Sequence, residues 1–97
     1  MRGEAAISIA GERLTLRPSF EALVAAEAEI GPLFAMVERA AGGRLSLGEM
    51  VALFWHCAVD RPDAMDRDRF AEAVAAMGLM QATPALKLLI GQILQGR

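Results

Sequence analysis

Apolar and polar residues alternate along AAISIA and again along RLTL, with Gly11 between them. From Phe20 onward the apolar positions recur at three- and four-residue intervals. Alternation at period two marks a half-buried strand, and the longer period marks a helix with one apolar face. The opening stretch therefore predicts a β-hairpin over about residues 4–17. A two-residue turn at Gly11-Glu12 sets Ile9 opposite Leu14, Ile7 opposite Leu16 and Ser8 opposite Thr15, which gathers the large apolar side chains on one face. A three-residue turn at Ala10-Gly11-Glu12 sets Ile9 against Arg13 and spoils that face.

The remainder predicts four to five short helices. Ser19 is the expected N-cap of a helix over about 20–30, with Phe20, Leu23, Val24 and Ile30 as its apolar stripe, and Gly31-Pro32 stops it. A second helix over about 33–41 turns Leu33, Phe34 and Val37 inward and ends at Gly42-Gly43. Ser46 and Glu49 have capping-box spacing, and Leu45 and Met50 are placed to staple across it. The helix they start, about 47–59, is apolar on nearly every side and so predicts the central helix. Asp63 or Asp66 caps a fourth over about 66–77, which ends before Gly78. Thr83 as N-cap and Pro84 as first helical residue start a fifth over about 84–94; Gly91 weakens it by roughly 1 kcal/mol relative to alanine, or permits a close backbone contact. The expected fold class is α+β, mostly α: a single domain over 1–97 in which an N-terminal hairpin packs on short helices. Its core candidates are Ile7, Ile9, Leu14, Leu16, Phe20, Leu23, Phe34, Val37, Leu53, Phe54, Phe70, Val74, Leu86, Leu89 and Ile93.

Charge and composition narrow the function. The net charge of −2 comes from acidic and basic residues spread along the chain, with no basic block and no aromatic interleaving, so the footprint of a nucleic-acid binder is missing. A single cysteine forms no internal disulfide and suits a reducing compartment. The N-terminus does not read as a signal peptide. The longest apolar run, MVALFWHCAV, is half the ~20 residues that span a bilayer, so no membrane partner is expected. The expectation is a soluble, cytoplasmic protein.

Candidate chemistry is sparse. His56 and Cys57 are adjacent, but neighbours on a helix project ~100° apart and cannot face each other as base and nucleophile. Asp60, Asp63, Asp66 and Asp68 lack the glycine and the ligand spacing of a calcium loop, and capping explains them better. Glu27 and Glu29 point to different sides of one helix; Glu27 lies on the apolar stripe, partly buried and hydrogen-bonded or at its boundary. The glycines at 42–43 and in GQILQG match no phosphate-binding fingerprint. No catalytic residue, metal ligand or cofactor follows, and no enzyme is expected. Met36, Met50, Met65, Met77 and Met80 fill core gaps or line an adaptable surface. The last helix carries Leu86, Leu88, Leu89, Ile90, Ile93 and Leu94 on more than one face, which favours a partner surface. Its candidate residues are Met80, Leu86, Leu89, Ile90 and Ile93.

The order of these pieces resembles a known family. RGEAAISIAGERLTLRPSFEALVAAEAEIG, with Glu27 and Gly31, looks like its opening; GGRLSLGEMVALFWHCAV resembles its central capped helix; FAEAVAAMGLMQATPALKLLIGQIL, broken at Gly78-Leu79, resembles its closing helix pair. The family is that of the small tail-assembly proteins of bacterial gene transfer agents and siphophage-like prophages, described as tail tube-like proteins and tail assembly chaperones. Its closing region is usually richer in alanine than TPALKLL. The resemblance implies a non-enzymatic role in tail building: a chaperone that transiently covers the helical tape measure protein until tail tube subunits polymerise, or alternatively a structural subunit of the tail. The partners it implies are the tape measure and tail tube proteins, and homo-oligomerisation stays open.

Overall fold

In the computed structural model, which describes residues 5–9 and 11–95, β1 (Ala5–Ile9) and β2 (Glu12–Leu16) pair antiparallel. Five helices follow: α1 (Phe20–Ile30), α2 (Leu33–Ala41), α3 (Leu47–Cys57), α4 (Arg67–Met77) and α5 (Leu79–Gln95). The fold is mostly α with an N-terminal hairpin, as the apolar periodicity predicts. The predicted hairpin start at position 4 lies outside the described residues.

The register differs from the expected one by two residues. Ile7 faces Leu14, Ala5 faces Leu16, Ser8 faces Arg13 and Ile9 faces Glu12. Gly11 has φ +79°, so it occupies the second place between the strands, where a tight hairpin turn needs a positive φ; Glu12 is thereby released from the turn and begins β2. A slip of two preserves the faces, and Ala5, Ile7, Ile9, Leu14 and Leu16 are all buried.

The outer edge of β2 is occupied by the chain that leaves α3. Arg17 N–H donates to the Cys57 carbonyl (2.8 Å), Val59 N–H to the Thr15 carbonyl (3.0 Å), and Thr15 N–H to Asp60 Oδ1 (2.9 Å). Leu16 and Ala58 form an antiparallel bridge. This pairing explains why α3 stops at Cys57 and not at the predicted 59: Ala58 turns extended (φ −70°, ψ 122°) to join the hairpin.

Local capping follows the sequence closely. Ser19 Oγ accepts from Ala22 N–H, Ser46 and Glu49 form the full capping box, and Asp66 Oδ1 accepts from Arg69 N–H. α2 has no cap from its own Pro32. Its first N–H, on Leu33, donates instead to Glu27 Oε2 at 3.0 Å, so a carboxylate from α1 supplies the missing acceptor.

Two further expectations are corrected. The fifth helix begins at Leu79, not at 84, so Thr83 is not its N-cap and Pro84 lies inside it. Ala82 N–H donates to the Gly78 carbonyl, and Ala82 and Ala85 are buried in the core; this packing outweighs the ring and missing N–H of Pro84, whose lost acceptor is the carbonyl of the exposed Met80. Phe20 and Phe34, both expected in the core, are 82% and 81% exposed. α1 turns Ala22, Leu23, Ala26 and Ile30 inward, and α2 turns Leu33, Met36 and Val37 inward. Phe20 stands at the first helical position, where side chains tilt toward the N-terminus and past the helix end. Phe34 shares the outer face of Glu38 and Ala41, at helical spacing.

α3 is the central helix: Met50, Val51, Ala52, Leu53, Phe54 and Cys57 are all buried, and α1 packs along it more extensively than any other helix does. Phe70 and Val74 of α4 and Leu89 of α5 complete the core. Because Pro84 interrupts a continuous helix, Pro84→Ala restores a bond to the Met80 carbonyl and is expected to raise stability by about 1–3 kcal/mol in urea unfolding. A helix starting at Pro84 would gain nothing from the change.

Candidate interaction surface

α5 divides the residues proposed for partner binding. Leu89 is wholly buried, and Leu86 and Ile93 pack against the core beside it. Leu89 is thus a core residue that a partner cannot reach in the folded chain, because Ala82, Ala85 and Leu89 lie one helical turn apart on the inward line. Ile90 is half-buried, and Met80 is 91% exposed. Among the described residues, the large exposed apolar side chains of α5 are Met80, Leu88 and Leu94, with Ile90 at their margin.

Other exposed apolar residues lie elsewhere. Phe20 and Val24 share the outer face of α1 one turn apart, Phe34 stands on α2, Leu47 begins α3, and Val59 follows it. The periodicity of the sequence missed the two phenylalanines because in short helices with frequent alanines more than one face is apolar enough to be the inward one. The signal that distinguishes them is position: each lies at or next to the first residue of its helix.

A polar and aromatic cluster joins three helices. Glu29 of α1 receives both guanidinium nitrogens of Arg67 of α4, one of them at 3.2 Å, and its Oε1 lies 2.9 Å from His56 Nε2 of α3. The Arg67 hydrogen bonds, and after them the one to His56, hold the Glu29 carboxyl below its ordinary value of 4.5. Trp55 meets Phe70 edge-on, with centroids 5.3 Å apart. The Arg61 guanidinium lies 3.9 Å from the Trp55 ring centroid and donates to the Trp55 and Ala58 carbonyls. These contacts fasten the ends of α1, α3 and α4 to one another. On a second surface Arg39 pairs with Glu49, whose carboxyl is also lowered, first by the Ser46 N–H and then by Arg39.

His56 and Cys57 go separate ways. His56 faces Glu29, while Cys57 is fully buried and burial pushes its thiol up to about 12. Asp60 and Asp66 accept main-chain N–H groups, and among the described residues no three His, Cys, Asp or Glu side chains gather where they could hold a metal ion. No single described helix is long and apolar enough to cross a membrane.

Two measurements test this account. Native protein at pH 8 is expected to react with a thiol reagent only as fast as it unfolds, and at once in denaturant, since Cys57 is protonated and enclosed. Glu29 and Glu49 have folded values below their unfolded ones, so their contribution to stability is present above about pH 4.5 and is lost as pH falls through the folded values. Wild type is expected to exceed Glu29→Gln in stability at pH 7 and to match it near pH 2. Salt narrows the gap because the pair is partly exposed.

Comparison with known proteins adds one finding. A family model described as phage tail tube protein, GTA-gp10, matches residues 2–96. No curated protein matches, and no solved structure matches.

Proposed function

This chain belongs to the phage tail tube protein family GTA-gp10, and from that membership we propose that it works without catalysis in building a phage-like tail, as a cytoplasmic assembly chaperone. Its client is the tape measure protein, which it covers until tube subunits polymerise around it. The observation that carries the proposal is the set of large apolar side chains left outside the core, above all Phe20, Phe34 and Met80. Burying one phenylalanine or methionine against a partner contributes about 1.5–3 kcal/mol, so several together supply useful affinity.

Their distribution favours a transient role. The exposed apolar residues stand on separate helices with charged neighbours such as Glu21, Glu38 and Lys87 between them. A permanent subunit interface is more often one continuous apolar patch, like a core cut in half. Scattered anchors suit many weak contacts along a long helical client, whose apolar stripe offers complementary positions.

The family's description as a tube protein favours a second reading, in which the chain is a subunit of the tube itself. Quantitative mass spectrometry of purified particles separates the two. The chaperone reading expects the protein to be absent from finished particles and to co-purify with the tape measure protein before assembly. Many copies per particle would establish the subunit reading. Under the chaperone reading, Phe20→Ser combined with Phe34→Ser is expected to weaken co-purification at least tenfold while leaving the unfolding midpoint nearly unchanged, since both side chains are already in water.

A further inference from the structure

The two edges of the hairpin are treated differently. Thr15 directs its N–H and carbonyl away from β1, to Asp60 and Val59. In an antiparallel ladder the residue opposite it, Ala6, must then also direct its main-chain groups outward, and so must Ser8 two places on. Among the described residues no hydrogen bond satisfies these groups of Ala6 and Ser8. Both residues are exposed and small. Natural sheet edges are usually protected by a charge, a proline or a bulge, and AAISI has none of these.

From this edge we infer that β1 pairs antiparallel with β1 of a second copy, forming a two-fold dimer with a four-stranded sheet. The spacing supports a second copy. A two-fold axis at Ile7 sets Ala6 of one copy against Ser8 of the other, and the reverse, so every outward N–H and carbonyl of the two residues meets a partner. Charge supports it too. The edge strand itself is neutral, and the groove beside it, between Ser8 and Ile9 on one side and α4 on the other, carries one cation and one anion, Arg69 and Glu72. A two-fold sets this wall beside an antiparallel copy of itself, so the cation and the anion of one copy are offered to those of the other in reversed order. The floor of the groove is small and apolar at Ala73 and Ala76, which lets another backbone approach. A five-residue edge buries less than the roughly 1,200 Å² of a standard interface, so the dimer is weak and dissociates on dilution.

The inference does not rest on the chaperone reading, and its test uses the protein alone. Sedimentation equilibrium from about 10 µM to about 1 mM spans the range in which so small an interface associates, and amide hydrogen exchange is followed across the same range. The expected result is reversible dimerisation with slowing of the Ala6 and Ser8 amides as concentration rises. Ser8→Pro removes an outward N–H that the internal ladder does not use. It is expected to weaken association at least tenfold while preserving the wild-type circular dichroism spectrum. A monomer throughout the range overturns the proposal, and so does a dimer whose Ala6 and Ser8 amides exchange as in the monomer. Dimerisation of a folded Ser8→Pro variant at wild-type strength also overturns it. If that variant fails to fold, the exchange data on the wild type decide alone.

Discussion

The structure depends on the main-chain pairing between the end of α3 and the outer edge of β2. A two-stranded hairpin is marginal in water, and its apolar face contributes only when something covers it. The Cys57–Asp60 segment adds what is nearly a third strand, joining the hairpin to the helix that, among the described residues, supplies more of the core than any other helix. With that junction made, Leu14 and Leu16 are wholly enclosed and α3 ends where its carbonyls find new donors. Without it, the exit of α3 and the edge of β2 would both leave main-chain groups unsatisfied beside the core, a cost comparable to that of a lost hydrogen bond for each.

Around this junction the helices are fixed mostly by their ends. Glu27 caps α2 from α1, Glu29 ties α1 to both α3 and α4, and Arg61 closes on the last carbonyls of α3 while stacking on Trp55. Alanine-rich helices bury little area per residue, so their orientation is set by these few directional contacts as much as by packing. The two glutamates that look interchangeable in AAEAEIG therefore do different work, since one points along the chain to the next helix and the other across to Arg67 and His56.

What could be read from the sequence was what is local. Ser19, the Ser46–Glu49 box and Asp66 act within one turn, and the stops at Gly31 and Gly78 need only a positive φ. The register of the hairpin was not legible, because a slip of two leaves the pattern of faces unchanged. The end of α3 depends on residues 45 positions away, and the start of α5 depends on the burial of Ala82 and Ala85, which carry no pattern strong enough to overrule a proline. Among the proposed binding residues, Met80 proved accessible and Leu89 enclosed, since an apolar residue in a helix does not announce which side faces the core. The Glu29 cluster joins three helices, and no spacing along the chain encodes it.

The long reach of the Thr15–Asp60 bond has a consequence for how the chain is made. On the ribosome the hairpin emerges ahead of the helices that cover it, at a synthesis rate of about 5–20 residues per second. Its covering strand and central helix follow only after some forty further residues. For seconds the newborn hairpin therefore has both edges bare, and shielding one of them requires a closure over 45 positions. The hairpin is therefore translated well before it is secured.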